Sequence, residues 1–227
     1  MLDDNEIRDI SDLEGLTSLT HLYLNNNRIR DLSALGNLTS LDTVFLSDNE
    51  IKDVSPLSGL TSLKRLYLNN NRIDDISTLR NLSSLTSLML DNNEISDISG
   101  LNNLSSLTSL VLSENHINDI STLENLSSLT NLMLDNNEIR EVNALSKLTS
   151  LKRLFLNNNK INDASALRNL TSLKQLKLDN NEDGVVSNSV NLTSQSNPKS
   201  GHGCLSFSLF VFLFFMGGMG YVLWPIL

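Results

Sequence analysis

Residues Leu60–Asn81 read LTSLKRLYLNNNRIDDISTLRN. The same 22-residue pattern recurs without gaps in the units from Leu16 to Asn169, and a further unit begins at Leu170 and loses the pattern after Glu182. Residues 2–15 supply the second half of a preceding unit. A fixed period of this length indicates a solenoid, because each unit can bury its apolar side chains only against its neighbours.

Within one unit, the alternation Leu66-Tyr67-Leu68 predicts a short β-strand, because successive side chains of a strand point to opposite faces. One strand per unit then predicts a parallel sheet along the solenoid, with neighbouring strands about 4.8 Å apart. The side chains expected to face the core of this unit are Leu63, Leu66, Leu68, Ile73, Ile76 and Leu79.

The pattern L-x-x-L-x-L-x-x-N-x-I resembles a leucine-rich repeat. The 22-residue length, the run D-[IVL]-S-x-L and the stretch D-V-S-P-L at Asp53–Leu57 resemble the internalin-like type, and the short repeats of phosphatase regulators are also similar. The resemblance spans residues 1–182. It implies an α/β horseshoe with a parallel concave sheet and short turns or 3₁₀ segments on the convex side. It does not imply one function, because this scaffold binds many unrelated partners.

Two polar columns recur with the same period. The first is an asparagine column, for which we predict a structural ladder, because a turn that leaves a strand exposes backbone groups that need partners. Its members are Asn5, Asn27, Asn49, Asn71, Asn93, Asn115, Asn137, Asn159 and Asn181. The second column is Asp9, Asp31, Asp53, Asp75, Asp97, Asp119, Glu141 and Asp163. These carboxylates are spread one per coil rather than converging on one point, so we predict turn capping and no metal site.

Tyr67 lies between two core leucines and is predicted to point outward, on the concave face of the sheet. Its column is Tyr23, Phe45, Tyr67, Met89, Val111, Met133, Phe155 and Lys177. We predict that its first seven members form an exposed apolar stripe that binds a partner, with Arg65 and Arg153 as polar contacts. The alternative is that these residues only reflect strand propensity and inheritance from a parent unit.

Composition narrows the function classes. The formal net charge is −9, with 26 acidic and 17 basic residues, which disfavours nucleic acid as a partner. The histidines His21, His116 and His202 accompany no recognisable nucleophile motif, and there is no phosphate-binding loop, so we predict neither an enzyme nor a cofactor. The only cysteine, Cys204, permits no disulfide within the chain.

The repeats are followed by two segments of different composition. Residues 183–204 are rich in Ser, Asn and Gly and are predicted to be a flexible linker. Residues 205–227, LSFSLFVFLFFMGGMGYVLWPIL, contain no charge and are long enough to span a bilayer as a helix of about 20 residues. We predict a single-pass C-terminal anchor. The alternative is a removable signal for a glycolipid (GPI) anchor, with Ser194 or Ser196 as the attachment site.

The start of the chain carries no signal-peptide pattern. Met1 falls in the middle of a unit and no cap is recognisable, so we expect that Met1 is not the natural start; the alternative is that a partner or a degenerate coil covers that end face. N-L-[ST] sequons occur at Asn37, Asn81, Asn103, Asn125, Asn169 and Asn191. The repeat period alone explains five of them, and they matter only if the chain enters a eukaryotic secretory route.

The function predicted from sequence is a non-enzymatic, membrane-anchored module that binds a protein or peptide on the concave face of the repeat array. One alternative is a cytosolic-facing scaffold or regulatory subunit of an enzyme such as a phosphatase, tail-anchored to an internal membrane. Another is a carbohydrate-binding surface protein, since aromatic side chains can stack on sugars.

Overall fold

The computed structural model describes residues 1–182. Each 22-residue unit contributes one strand of three residues and one short 3₁₀ helix. The strands are β1 (His21–Tyr23), β2 (Thr43–Phe45), β3 (Arg65–Tyr67), β4 (Ser87–Met89), β5 (Ser109–Val111), β6 (Asn131–Met133), β7 (Arg153–Phe155) and β8 (Gln175–Lys177). The 3₁₀ helices are η1 (Ser11–Leu13), η2 (Ser33–Leu35), η3 (Ser55–Gly59), η4 (Ser77–Asn81), η5 (Ser99–Leu101), η6 (Ser121–Asn125), η7 (Asn143–Lys147) and η8 (Ser165–Asn169).

The strands form one 8-stranded parallel sheet in sequence order, β1 to β8. Every strand pairs with the next at an offset of 22 residues, as in Leu66 beside Leu88 and Tyr67 beside Met89. The constant unit length explains this register, because equal coils return the chain to the same height on each turn. The parallel sheet and the 3₁₀ segments predicted from the repeat are confirmed.

The core lies between the sheet and the 3₁₀ helices and is continuous along the array. In the unit used for the prediction, all six inward side chains are fully buried. No single coil could bury these side chains by itself, so the core belongs to the stack rather than to any unit.

The asparagine column lies at the turn after each strand and joins consecutive coils. Asn93 Oδ1 accepts a hydrogen bond from the N–H of Ile73 at 2.9 Å, and its Nδ2 donates to the carbonyls of Leu68 at 3.0 Å and Leu90 at 3.1 Å. Two of these three partners, Ile73 and Leu68, belong to the preceding coil. The same arrangement recurs at Asn27, Asn49, Asn71, Asn115, Asn137, Asn159 and Asn181.

The residue before each of these asparagines has a left-handed backbone conformation, with φ between 53° and 59°. Asn and Asp tolerate this region better than other non-glycine residues, and they occupy it in every coil except one. The exception is Glu114, with φ of 57°.

The aspartates of the second column cap the turn that leads into the 3₁₀ helices. Asp53 Oδ1 accepts the N–H of Ser55 at 2.8 Å, and Asp163 Oδ1 accepts that of Ser165 at 2.7 Å. The hydroxyl and the backbone N–H of Ser33 hold the pKa of Asp31 below its ordinary value. A carboxylate in this position is stabilised in its charged form because the backbone donors point at it.

Acidic and basic residue types alternate along the position that follows the asparagine column: Glu6, Arg28, Glu50, Arg72, Glu94, His116, Glu138, Lys160 and Glu182. Three neighbouring pairs approach closely, Arg28–Glu6 at 3.0 Å, Arg72–Glu50 at 3.8 Å and Lys160–Glu138 at 2.8 Å. Exposed pairs of this kind add little stability individually.

Residues 1–182 contain no helix that is both long and apolar enough to cross a bilayer. The linker expected at residues 183–204 and the hydrophobic helix expected at residues 205–227 lie outside the described residues, as do Cys204, the sequon at Asn191 and the attachment candidates Ser194 and Ser196.

Candidate functional site

The face of the sheet that points away from the core carries three parallel columns of side chains, and we call it the sheet face. The middle one, the apolar column, ends each strand and comprises Tyr23, Phe45, Tyr67, Met89, Val111, Met133, Phe155 and Lys177. The leading edge is formed by the first residue of each strand together with the residue before it. The trailing edge lies two residues after the apolar column: Asn25, Ser47, Asn69, Asp91, Ser113, Asp135, Asn157 and Asp179.

Aromatic rings stack at the N-terminal end of the apolar column. The rings of Tyr23 and Phe45 lie 4.9 Å apart between centroids at 12°, and those of Phe45 and Tyr67 lie 4.5 Å apart at 17°. These spacings match the distance between neighbouring strands, about 4.8 Å, so the backbone register itself produces the stack. At the other end, Lys177 Nζ lies 4.8 Å from the centroid of the Phe155 ring, a cation–π contact.

The apolar column is less exposed than the sequence predicts. Tyr67 and Val111 are only 4% and 8% exposed, although both point away from the core. Strands spaced about 4.8 Å apart leave no gap between large side chains in register, so neighbours cover one another. Tyr23, Phe45, Met89, Met133 and Phe155 remain half-buried. The prediction of a uniformly exposed stripe is therefore wrong at Tyr67 and Val111.

Arg65, one of the two predicted polar contacts, is compensated by an acid on the leading edge. Its guanidinium donates to the hydroxyl of Thr43 at 3.0 Å and lies 3.4 Å from the carboxylate of Asp42. Lys64 Nζ lies 2.7 Å from the same carboxylate. The hydrogen bond from Lys64, with contributions from Thr43 and Arg65, holds the pKa of Asp42 below its ordinary value.

Arg153, the second predicted contact, has different surroundings. It is exposed, and its Nε donates to the side-chain oxygen of Asn131 at 2.7 Å, which is a neutral partner. None of the ion pairs within residues 1–182 involves Arg153 or the exposed lysines beside it, Lys152 and Lys174.

The trailing edge is a second ladder of hydrogen bonds. Asn25 Oδ1 accepts the N–H of Ser47 at 3.0 Å, and Asp135 Oδ1 accepts both N–H groups of Asn157, backbone and side chain, at 3.0 and 2.8 Å. Asp91 lies in the middle of this edge. Burial, reinforced by the charges of Glu114 and Asp48, raises its pKa to about 6.

Residues 1–182 hold no group of His, Cys, Asp or Glu side chains close enough together to coordinate a metal ion. The arrangement of the sheet face, with an apolar centre and polar edges, suits non-covalent binding.

Sequence reasoning treated Arg65 and Arg153 as equivalent and overlooked Asp42, Lys152 and Lys174. A usable signal was present, because each residue stacks on the one 22 positions earlier. The residues 22 positions before Lys64 and Lys152 are Asp42 and Thr130, and this difference distinguishes the charged surroundings of Arg65 from the neutral surroundings of Arg153. The raised pKa of Asp91 depends on burial, so no sequence pattern indicated it.

The sequence profile described as "Leucine Rich repeats (2 copies)" matches residues 1–37, 39–81 and 83–125. No curated protein sequence gives a significant match. Among solved structures, an internalin from Listeria monocytogenes (inlF) is 35% identical with a TM-score of 0.77, and the alignment covers 80% of this chain and 56% of that one.

Internalin C2 of the same species is 39% identical with a TM-score of 0.76, over 77% of each chain. A plant peptide hormone receptor, RGFR1, in complex with RGF2, is 26% identical with a TM-score of 0.66, over 73% of this chain and 29% of that one. The chain thus spans 56% of the first internalin and a smaller share of the receptor. The shared repeat, fold and identity show that this chain belongs to the leucine-rich-repeat family and is of the internalin-like type.

Proposed function

We propose that this chain is a non-enzymatic, membrane-anchored binding module that holds a protein or peptide ligand on its sheet face. The observation that carries the proposal is the apolar column between two polar edges. Protein interfaces combine aromatic, Met and Arg anchors with a polar rim, and the sheet face has this composition.

The apolar column is also pre-organised. Stacking between Tyr23, Phe45 and Tyr67 restrains their rings before any ligand arrives, so binding costs less side-chain entropy. Tyr67 and Val111 are too buried to be anchors, and we assign them the role of supporting their half-buried neighbours. The anchors in this proposal are Tyr23, Phe45, Met89, Met133 and Phe155.

The solved relatives support a protein or peptide as the ligand class. The plant receptor with the same repeat fold is described as a peptide hormone receptor and was solved in complex with RGF2. Phosphatase regulation and carbohydrate binding, the two alternatives from sequence, have no comparable support in the described residues.

The binding proposal can be tested with a random dodecapeptide phage library selected against the full chain in nanodiscs of zwitterionic lipid. The affinity of the consensus peptide is then measured for the wild type and for the double variant Met89→Gln, Met133→Gln. Gln has nearly the volume of Met but is polar, so the fold should survive while binding weakens about tenfold or more. The control variant is Asn103→Gln, at an exposed position outside the sheet face. Unchanged affinity in the double variant would exclude the apolar column as the site.

Membrane anchoring through residues 205–227 is the second part of the proposal and rests on the sequence. The full chain should float with zwitterionic liposomes in a density gradient, and a chain ending at Gly203 should remain at the bottom. Equal behaviour of the two chains would refute the anchor.

A further inference from the structure

We propose that Lys152, Arg153 and Lys174, on the leading edge at β7 and β8, recognise an acidic segment of the bound protein or peptide. This inference rests on the proposed function and adds the chemistry of the partner. We call these three residues the basic cluster.

The chain contains two nearly identical copies of one motif. LTSLKRLYLNNN at residues 60–71 and LTSLKRLFLNNN at residues 148–159 differ at a single position, Tyr67 against Phe155. Their backbones are also held alike. The N–H groups of Lys64 and Arg65 donate to the carbonyl of Asp42 at 2.8 and 3.1 Å. Those of Lys152 and Arg153 donate to the carbonyl of Thr130 at the same two distances.

The two copies differ in what lies one coil earlier. Asp42 places its carboxylate 2.7 Å from Lys64 and 3.4 Å from Arg65, and so neutralises that cation pair within the chain. Thr130 occupies the equivalent place beside Lys152 and Arg153, and its hydroxyl donates to the carbonyl of Thr108 at 3.0 Å. The second cation pair therefore lacks the internal counter-charge that the first one has.

A third cation extends the second pair. The N–H of Lys174 donates to the carbonyl of Lys152 at 2.8 Å, which stacks the two lysines one strand apart, about 4.8 Å. Like charges at that spacing repel, and within residues 1–182 no acidic side chain forms an ion pair with any member of the basic cluster. In a chain with a net charge of −9, this concentration of exposed positive charge calls for an acidic partner.

The other features of the sheet face limit the partner to a short acidic segment of a protein. The trailing edge opposite the cluster carries Asp135 and Asp179, about 13 Å away across four strand positions. A broad polyanion such as a nucleic acid or an anionic membrane would be repelled by these carboxylates and by the net charge. A peptide that places an apolar residue on Phe155 would bring its carboxylates within reach of the basic cluster.

The experiment extends the phage selection with matched variants of the full chain. Thr130→Asp supplies the missing counter-charge and leaves the cations in place, and Thr130→Asn loses the same hydroxyl without adding charge. A triple Ser variant of the basic cluster removes the cations, and a double Ser variant of Lys52 and Lys147, which are exposed and lie outside the sheet face, is its control. Circular dichroism melting must show that each variant keeps the wild-type fold.

We expect peptides selected on the wild type to be enriched in Asp and Glu. Their affinity should fall about tenfold with Thr130→Asp and with the triple variant, and change little with Thr130→Asn or the control pair. Raising the salt concentration should weaken binding by the wild type more than binding by Thr130→Asp.

Four outcomes overturn the inference. Peptides that need Met89 and Met133 but show no acidic enrichment would leave the proposed function standing and remove the basic cluster. Equal affinities for Thr130→Asp and Thr130→Asn would do the same. A heparin oligosaccharide that binds the cluster more tightly than the consensus peptide would replace the acidic segment by a sulfated sugar. A library that yields no binder refutes both proposals.

Discussion

Replacing Asn93 by Ala tests how the asparagine column joins the coils. The carbonyls of Leu68 and Leu90 each keep a second donor after this change, because Asn71 also bonds Leu68 and Asn115 also bonds Leu90. The N–H of Ile73 loses its acceptor in the described structure, which is Asn93 Oδ1. The variant therefore leaves one donor unsatisfied next to a fully buried side chain.

The expected cost follows from these partners. An unsatisfied buried N–H costs about 1–3 kcal/mol, and the lost bonds to the two carbonyls add about 1 kcal/mol. We expect Asn93→Ala to lower the free energy of unfolding by about 2–4 kcal/mol. Asn93→Asp keeps the acceptor for Ile73 but turns a buried charge toward two carbonyl oxygens. It should cost more than Ala at pH 7 and recover at low pH, where the protonated acid can donate.

Urea unfolding followed by far-ultraviolet circular dichroism gives the stability, and amide hydrogen exchange at Ile73 reports the orphaned N–H directly. Asn5→Ala is the matched control, because Asn5 is exposed and its side chain bonds only within its own coil, so the change should cost less than about 0.5 kcal/mol. A loss below about 1 kcal/mol in Asn93→Ala, or an Ile73 amide that stays protected, would refute this account of the ladder.

Two further predictions concern other parts of the array. Gly100→Ala should destabilise by about 1–3 kcal/mol, because the added Cβ would lie 2.2 Å from the carbonyl oxygen of Ile76. Gly59→Ala, whose Cβ would meet its nearest neighbour at 3.6 Å, should melt like the wild type, and equal melting of both variants would contradict the close approach at Gly100. Asp91 has a folded-state pKa of about 6, raised by burial from 3.8, so the unfolded chain loses this proton first, and the free energy of unfolding falls as the pH rises from about 4 to about 6 and stays low above that. Asp91→Asn should therefore raise the free energy of unfolding by up to about 3 kcal/mol at pH 8 and by less than about 1 kcal/mol at pH 4, and a gain independent of pH would contradict the burial of this carboxylate.

Local chemistry explains why much of the fold was predictable. The spacing of Leu66 and Leu68 specifies which side chains are buried, and a strict 22-residue period specifies which residues stack. The turn at Asn93 was predictable because a short amide side chain is one of the few that can hydrogen-bond to backbone donors and acceptors at the same time.

The sheet face was only partly predictable, because its properties arise between coils. Tyr67 points outward as its position requires, yet it is buried, since the neighbouring ring of Phe45 lies 4.5 Å away. The distance between strands, rather than the identity of Tyr67, decides its exposure.

The sequence by itself determined the repeat, the parallel sheet, the leucine core and the positions of both polar columns, because each depends on periodicity and on side-chain chemistry. Only the tertiary structure decided which charges are compensated and which carboxylate is desolvated. Two segments with the same KR pair differ because Asp42 stacks beside one and Thr130 beside the other. Electrostatic free energy depends on distance and burial in three dimensions, and the identity of a single residue determines neither.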